Sequence, residues 1–198
     1  MKKIIFAVFV LLPSLLFSQN VLDYFPIKVN AFWVYDLYPR EKGYKQAEKT
    51  VTTGQITWMD TAHFVGFTTN LKGVGTTAEY DEQDKIDGPI LQNMTVNIMG
   101  YSHTNSDPLP RILDLPGKSW TINSDGETDN YTTESGSIKF DNLSFPDCIK
   151  VTETSTLDDG EVIVETKYYA LNIGLVLDSI LKNGKTTEWR LKSSTFLN

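Results

Sequence analysis

Few residues in this chain could act as a nucleophile or its base. Cys148 is the only cysteine, and His63 and His103 are the only histidines. A catalytic thiol or hydroxyl needs a neighbouring base, which an imidazole most often supplies. Cys148 heads the strand-like run 148–151, where a buried and inert thiol is the simpler interpretation. The sequence also lacks the Gly-x-Ser-x-Gly turn of lipases and esterases. We therefore predict no catalytic residue.

Metal and cofactor sites find equally little support. Two histidines and one cysteine cannot supply the usual ligand set of zinc. Carboxylates crowd two loops, but neither loop has the spacing that wraps oxygen ligands around calcium. These residues are Asp81, Glu82, Asp84 and Asp87 in the first loop, and Asn123, Asp125 and Asp129 in the second. No glycine-rich phosphate loop is present. We predict neither a metal nor a cofactor.

Apolar residues on both faces of a strand are the pattern that most favours a ligand site. In segment 31–38, one face carries Trp33 and Tyr35 while the other carries Phe32 and Val34, and segment 162–171 behaves alike. A sheet with one face in water should alternate apolar and polar residues. Either a helix, a loop or a second sheet covers the outer face, or a curved sheet forms an apolar pocket, as in carrier barrels. The residues predicted to line such a pocket are Trp33, Tyr35, Phe67, Trp120, Tyr169 and Trp189.

The elements that must position these residues are strands. Threonine occurs 22 times and alanine 6 times, a ratio that favours sheet over helix. Asn183-Gly184 and Asp158-Asp159-Gly160 separate alternating runs, so the last 50 residues predict a four-stranded antiparallel meander. Short helices are expected only near 21–25 and 109–115. Earlier strands are predicted at 31–38, 45–58, 62–71, 76–81, 90–101, 119–123 and 131–140. The predicted fold is all-β with minor helix: a strongly curved antiparallel meander sheet, a half-barrel or a barrel.

A weak internal echo links two parts of the chain. Segments 29–33 and 115–120 each place an apolar residue and a turn-like stretch before a tryptophan that opens a strand, Trp33 in the first and Trp120 in the second. The second copy is one residue longer. The two copies could mark two halves of one sheet, but two tryptophans are thin evidence, so chance is the preferred explanation.

The first 18 residues have the three parts of a secretory signal peptide. Lys2 and Lys3 precede the uncharged apolar run 4–17, and small or polar residues follow. We expect cleavage near Ser18, leaving one β-rich domain over 19–198 in the periplasm or outside the cell. No cysteine lies near the junction to carry a lipid, so we expect an unanchored protein without a membrane span.

The charge of the mature chain excludes some partners. Removing two lysines leaves 16 basic against 25 acidic residues, a net charge of 16 − 25 = −9. Such a chain lacks the basic patch of a nucleic-acid binder or of a protein that docks on anionic lipid.

Two motifs resemble a known group of proteins. Tyr24-Phe25-Pro26-Ile27 before Trp33-Val34-Tyr35, and Tyr168-Tyr169-Ala170 before Gly174-Leu175-Val176, are similar to segments of a loose group of exported, uncharacterised proteins of Bacteroidetes-type bacteria. The group often has glycine where this chain has Asn30, and asparagine also accepts a left-handed turn. The resemblance implies a curved antiparallel sheet and supplies no activity or site residue.

Three functional hypotheses follow. The first is an exported, non-enzymatic envelope protein that binds an apolar or amphiphilic small molecule on the concave face of a curved sheet. The second is a structural or interaction protein of the envelope, which binds another envelope protein and no small ligand. The third is an exported hydrolase that uses His63 or His103.

Overall fold

The structure is a computed structural model of the 198-residue chain. It describes residues 20–40, 47–59, 62–73, 78–85, 90–98, 101–104, 111–124, 127–157 and 159–197. The predicted signal peptide lies outside these residues. No helix within the described ranges is long and apolar enough to cross a membrane.

Within the described residues, thirteen antiparallel strands form one curved, open sheet of the meander type, as the sequence predicts. They are β1 (Phe32–Tyr38), β2 (Glu48–Met59), β3 (Ala62–Lys72), β4 (Ala78–Lys85), β5 (Ile90–Ile98), β6 (Tyr101–Thr104), β7 (Arg111–Leu113), β8 (Ser119–Ser124), β9 (Glu127–Phe140), β10 (Leu143–Thr156), β11 (Val162–Ala170), β12 (Gly174–Lys182) and β13 (Lys185–Ser194). Their order in the sheet is β6-β5-β4-β3-β2-β1-β13-β12-β11-β10-β9-β8, with β7 beside β5. The first and last strands of the meander, β1 and β13, therefore meet in the middle of the sheet.

Turn residues explain why the meander reverses where it does. Asn183 and Gly184 both have positive φ, 52° and 70°, as a two-residue hairpin loop requires. Asn172 and Gly174 likewise have φ of 59° and 96° between β11 and β12. The four-stranded meander predicted for the last 50 residues is confirmed as β10 to β13. Asn30 has φ of 61°, so the left-handed turn expected there is also present.

The predicted helix near 21–25 is a single 3₁₀ turn at Val21–Tyr24. The Asn20 side chain accepts a hydrogen bond from Leu22 N–H, and the Asp23 side chain accepts one from Asn20 N–H. This reciprocal cap satisfies amides that the turn leaves free. Val21 and Tyr24 are buried, so the turn contributes to the core.

Several strand boundaries and one helix differ from the sequence-based expectation; β4 extends to residue 85 instead of 81, and β9 begins at 127 instead of 131. The helix near 109–115 is wrong, because Arg111–Leu113 pairs with β5 as a strand and fully buries Leu113. The single strand over 90–101 is a hairpin, β5 and β6. β10 begins at Leu143, ahead of the last 50 residues, and it accommodates Pro146 inside a register shift between Phe145 and Cys148. A bulge is where a sheet tolerates proline.

Candidate functional site

One face of the sheet carries a continuous row of side chains across seven strands. Paired residues share a face, and so do residues two apart on a strand. Starting at Lys49 on β2, the row passes to Tyr35 on β1, Trp189 and Leu191 on β13, Asp178 on β12, Lys167 on β11, Val151 on β10 and Thr133 on β9. We call this surface the aromatic face.

All six residues predicted to line a ligand site lie on the aromatic face. Trp33 and Tyr35 are neighbours on β1, and the register places the others on β3, β8, β11 and β13. Four of them are buried in the core: Trp33, Tyr35, Phe67 and Tyr169. Trp120 and Trp189 are half-buried. The structure brings these six residues to one face. Four of them are covered by the rest of the chain, and the other two remain partly accessible.

The chain itself fills one end of the aromatic face. The Phe25 ring, just after the 3₁₀ turn, lies 5.6 Å from the Phe67 ring and 6.3 Å from the Tyr169 ring. Leu113 of β7 belongs to the same cluster of buried residues as Val21 and Tyr169. The covering segment that two-sided strands imply is therefore built from residues 21–25 and 111–113.

At the other end, the ammonium of a partly buried charged pair lies against two aromatic rings. Lys49 Nζ lies 5.2 Å from the centre of the Tyr35 ring and 5.1 Å from that of the Trp189 ring. It reaches over β1 and β13 to Asp178 Oδ2, 3.4 Å away. Such rings attract an ammonium through the negative charge of their faces. Burial lowers the pKa of Lys49, and the Asp178 carboxylate opposes that shift.

One oxygen of this pair has no partner. Asp178 is 8% exposed, and its Oδ1 is buried without a hydrogen bond in the described part of the chain. Burying a carboxylate oxygen without a donor is costly, and native proteins supply such groups with water or a ligand. This oxygen therefore marks a position where a hydrogen-bond donor is stabilised.

A second charged pair extends the polar end toward β11. Lys167 Nζ lies 2.6 Å from Glu165 Oε2, and Lys167 is paired with Asp178 in the sheet register. Burial raises the pKa of Glu165 to about 7, although the Lys167 ammonium favours its charged form. We call Lys49, Asp178, Lys167 and Glu165 the charged cluster. It gives the aromatic face one apolar, filled end and one charged, partly accessible end.

Sequence reasoning missed the charged cluster entirely. Lys49 and Asp178 are 129 residues apart in the chain, and no local pattern links them. The usable signal was a break in the alternation pattern, since Glu165 and Lys167 place two charges on the aromatic face of β11. A charged residue at a core-facing position predicts a buried partner but does not say which one.

None of the residues considered for catalysis and metal binding belongs to the charged cluster. Cys148 is 3% exposed, and burial, with Asp147 nearby, raises the pKa of its thiol to about 11. His63 is a strand residue of β3 and His103 one of β6. Across the described ranges, no group of three or more His, Cys, Asp or Glu side chains is arranged to hold a metal. Asp87 and Asp125, from the two acidic loops, fall outside the described residues.

A separate cleft of about 580 Å³ lies beside the tip of the β9–β10 hairpin. Its cations are already paired: Arg40 lies 3.5 Å from Asp36, Arg190 lies 2.6 Å from Glu188, and Lys192 contacts Asp36 at 3.4 Å. Exposed pairs of this kind contribute little and leave no charge free for a ligand. The charged cluster is therefore the stronger candidate site.

Two solved structures share this fold. One is a candidate lipoprotein from Parabacteroides distasonis, with a TM-score of 0.53, 14% identity, and coverage of 89% of this chain and 100% of its own. The other is a candidate exported protein with a YmcC-like fold from Bacteroides fragilis, with a TM-score of 0.50, 13% identity, and coverage of 86% and 97%. No family model and no curated protein matches the chain. At these identities the likeness shows the fold alone.

Proposed function

We propose that this chain is an exported protein that binds an amphiphilic molecule on the aromatic face. The observation that carries the proposal is the unpartnered Oδ1 of Asp178 beside the Lys49 ammonium, at the edge of an aromatic surface. A head group that donates a hydrogen bond to Asp178 Oδ1 and accepts one from the Lys49 ammonium would satisfy the hydrogen-bonding capacity of both groups. The half-buried ring of Trp189 would contact the apolar part of the same molecule.

Export is supported by the form of residues 1–18 and by the two structural neighbours, which are a candidate lipoprotein and a candidate exported protein. The non-enzymatic character of the proposal rests on chemistry. The buried thiol of Cys148 has a raised pKa, which makes it a poor nucleophile at neutral pH. The charged cluster offers groups that can orient a ligand, and it contains no hydroxyl or thiol to attack one.

The experiment is thermal unfolding of delipidated mature protein with single-chain amphiphiles. The probes are a fatty acid, a lysophospholipid and an isoprenyl alcohol. Occupancy at a hundredfold excess over Kd adds about 2.7 kcal/mol of stability. For a chain of this size that corresponds to a rise in Tm of roughly 5–10 °C. The proposal fails if none of the probes raises Tm.

A matched pair of variants locates the effect. Asp178→Asn should weaken the rise in Tm, since an amide neither carries the charge nor accepts through both atoms. Asp36→Asn is the control, because Asp36 is also 8% exposed and ion-paired but lies on the opposite face. An equal loss in both variants would contradict a site at the charged cluster.

A structural or interaction role without a small ligand is the second candidate. The filled apolar end favours it, since Phe25 occupies part of the surface that a larger ligand would need. This role predicts no shift in Tm with any amphiphile and a partner protein instead. The same melting experiment therefore separates the two candidates.

A further inference from the structure

The echo between Trp33 and Trp120 is a structural repeat. In the first copy, Asn30 N–H donates to Thr53 O at 3.1 Å, and Thr53 N–H donates to Ala31 O at 2.9 Å. The Thr53 hydroxyl accepts from Ala31 N–H at 2.8 Å and donates to Lys28 O. One buried threonine thus closes the turn that precedes β1.

The second copy repeats every one of these bonds. Gly117 N–H donates to Thr133 O at 2.8 Å, and Thr133 N–H donates to Lys118 O at 2.9 Å. The Thr133 hydroxyl accepts from Lys118 N–H at 3.0 Å and donates to Leu115 O at 2.7 Å. Gly117 has φ of 85°, where the first copy has Asn30 with φ of 61°.

The registers of the following strands also agree. Trp33 pairs with Val51, two residues before Thr53, and Trp120 pairs with Tyr131, two residues before Thr133. Five consecutive pairs match between β1–β2 and β8–β9 in this way. The sheet is therefore two meanders in tandem, one starting at β1 and one at β8. The first strand of each meander, β1 or β8, has the same register against the strand that follows it.

In the first meander, the outer edge of the starting strand is paired. Phe32 N–H donates to Thr195 Oγ1, and Thr195 N–H donates to Phe32 O, so alternate groups of β1 point toward β13. The pairing sets Trp33 opposite Ser194 and Tyr35 opposite Leu191. A small residue faces the tryptophan, and an apolar residue faces the next inward position. The Trp33 indole also finds an acceptor, since its Nε1 donates to Ile173 O at 2.6 Å.

In the second meander, the described residues leave the equivalent edge unpaired. β8 ends the strand order, and no strand among the described ranges pairs with its outer side. The Trp120 Nε1 is buried and has no hydrogen-bond partner in that same part of the structure. Natural sheets protect their edges with lysine, proline or inward charges. β8 has none of these, since Ser119–Ser124 is uncharged throughout.

We propose that β8 pairs antiparallel with β8 of a second copy, around a two-fold axis through Ile122. By equivalence with Phe32, the backbone groups of Thr121 and Asn123 point outward. The axis sets these two residues opposite each other across the interface and joins them by four backbone hydrogen bonds. It sets Trp120 opposite the partner's Ser124 and Ile122 opposite the partner's Ile122. This reproduces the chemistry of the β1–β13 pairing: serine against tryptophan, and apolar against apolar.

The first test removes one backbone donor at the edge. Thr121→Pro deletes an outward N–H, which an edge strand tolerates within the monomer. Sedimentation equilibrium should show dimers for the wild type and monomers for Thr121→Pro, with the same circular dichroism spectrum. Thr121→Val is the control, since it also loses the hydroxyl bond to Asn130 but keeps the N–H and should stay dimeric. A monomeric wild type overturns the proposal. It does so equally if another protein, or another segment of the same chain, pairs with this edge.

The second test places charges on the axis. Ile122→Lys and Ile122→Glu each oppose two like charges and should be monomeric alone. Mixed in equal amounts, they should form a heterodimer, which native mass spectrometry identifies by its intermediate mass. Failure of the mixture to associate, with both variants folded and the wild type dimeric, would place the dimer contact elsewhere.

Discussion

At the scale of single residues, Thr53 and Thr133 carry the turns that start the two meanders. Each hydroxyl accepts from one backbone amide and donates to one carbonyl, and the two side chains are 1% and 4% exposed. Replacing the hydroxyl with a methyl leaves these backbone groups buried without partners. The consequence should be larger than the loss of a surface hydrogen bond.

Thr53→Val and Thr133→Val should each lower the free energy of unfolding by about 1–3 kcal/mol. Because the two turns are equivalent, the two losses should be similar. Thr→Ser at either position keeps the hydroxyl and should cost only about 1 kcal/mol for the lost methyl. Urea unfolding of the four variants measures this. A serine variant as unstable as its valine counterpart would assign the effect to packing instead.

Sequence reasoning at this scale succeeded where the chemistry is local. Asn30 and Asn183-Gly184 predict positive φ, because few residue types other than asparagine and glycine adopt it. The structure has positive φ at all three residues. Thr53 and Thr133 carried no such signal, since they are two of 22 threonines. Only the positions of their partners, 22 and 15 residues away, distinguish them.

At the scale of elements, the turn between β11 and β12 fixes the central strand β1. Gly174 has φ of 96°, and a Cβ added there would lie 3.2 Å from Trp33 Nε1. That indole donates to Ile173 O in the same turn. A side chain at this position would therefore disturb both the turn and the strand that packs on it.

Gly174→Ala should destabilise the protein by about 2–3 kcal/mol, from backbone strain of about 1–2 kcal/mol plus displacement of the indole. Gly160→Ala is the matched control, because Gly160 also has positive φ, 83°, but open space around its Cβ. It should cost about 1 kcal/mol. Thermal or urea unfolding tests the difference, and equal losses would contradict a packing role for Gly174.

Elements were predictable where turn residues frame an alternating run, as in β12 and β13. Strands could not be predicted from the sequence where they break a rule of local structure. Pro146 lies within β10, at a register shift that no local pattern announces. Leu113 lies in a segment where a short helix is predicted, yet its burial in a strand against the core decides its conformation. Tertiary packing overrides local preference in both cases.

At the scale of the whole molecule, the charged cluster links strands from both meanders. Its energetics should be visible in the pH dependence of stability. The folded pKa of Glu165 is raised to about 7 by burial, above the ordinary glutamate value of 4.5. A proton is therefore held more tightly in the folded than in the unfolded state between these values. The stabilisation is complete below pH 4.5 and is lost as pH rises through 7.

We expect the free energy of unfolding to fall by about 2 kcal/mol between pH 5 and pH 8 on account of Glu165. Glu165→Gln should flatten this part of the profile, since an amide does not titrate. Urea unfolding at several pH values measures both slopes. An identical slope in the wild type and in Glu165→Gln would show that Glu165 does not titrate in this range.

The overall fold could be predicted because threonine content, alternation and turn residues all favour an antiparallel meander. The charged cluster could not, since Lys49 and Asp178 meet only after β1 and β13 have paired between them. The same long-range pairing brings six aromatic or apolar residues to one face. Which of them the chain covers depends on residues 21–25 and 111–113, whose docking no pattern in the sequence specifies.

The most direct test of a ligand on the aromatic face is native mass spectrometry of mature protein purified from its own host. A ligand at the charged cluster predicts a co-purifying mass that organic solvent releases, strongly reduced in Asp178→Asn and retained in Asp36→Asn. Only the mass of the bare chain, in all three proteins and under conditions gentle enough to keep lipids bound, would contradict it.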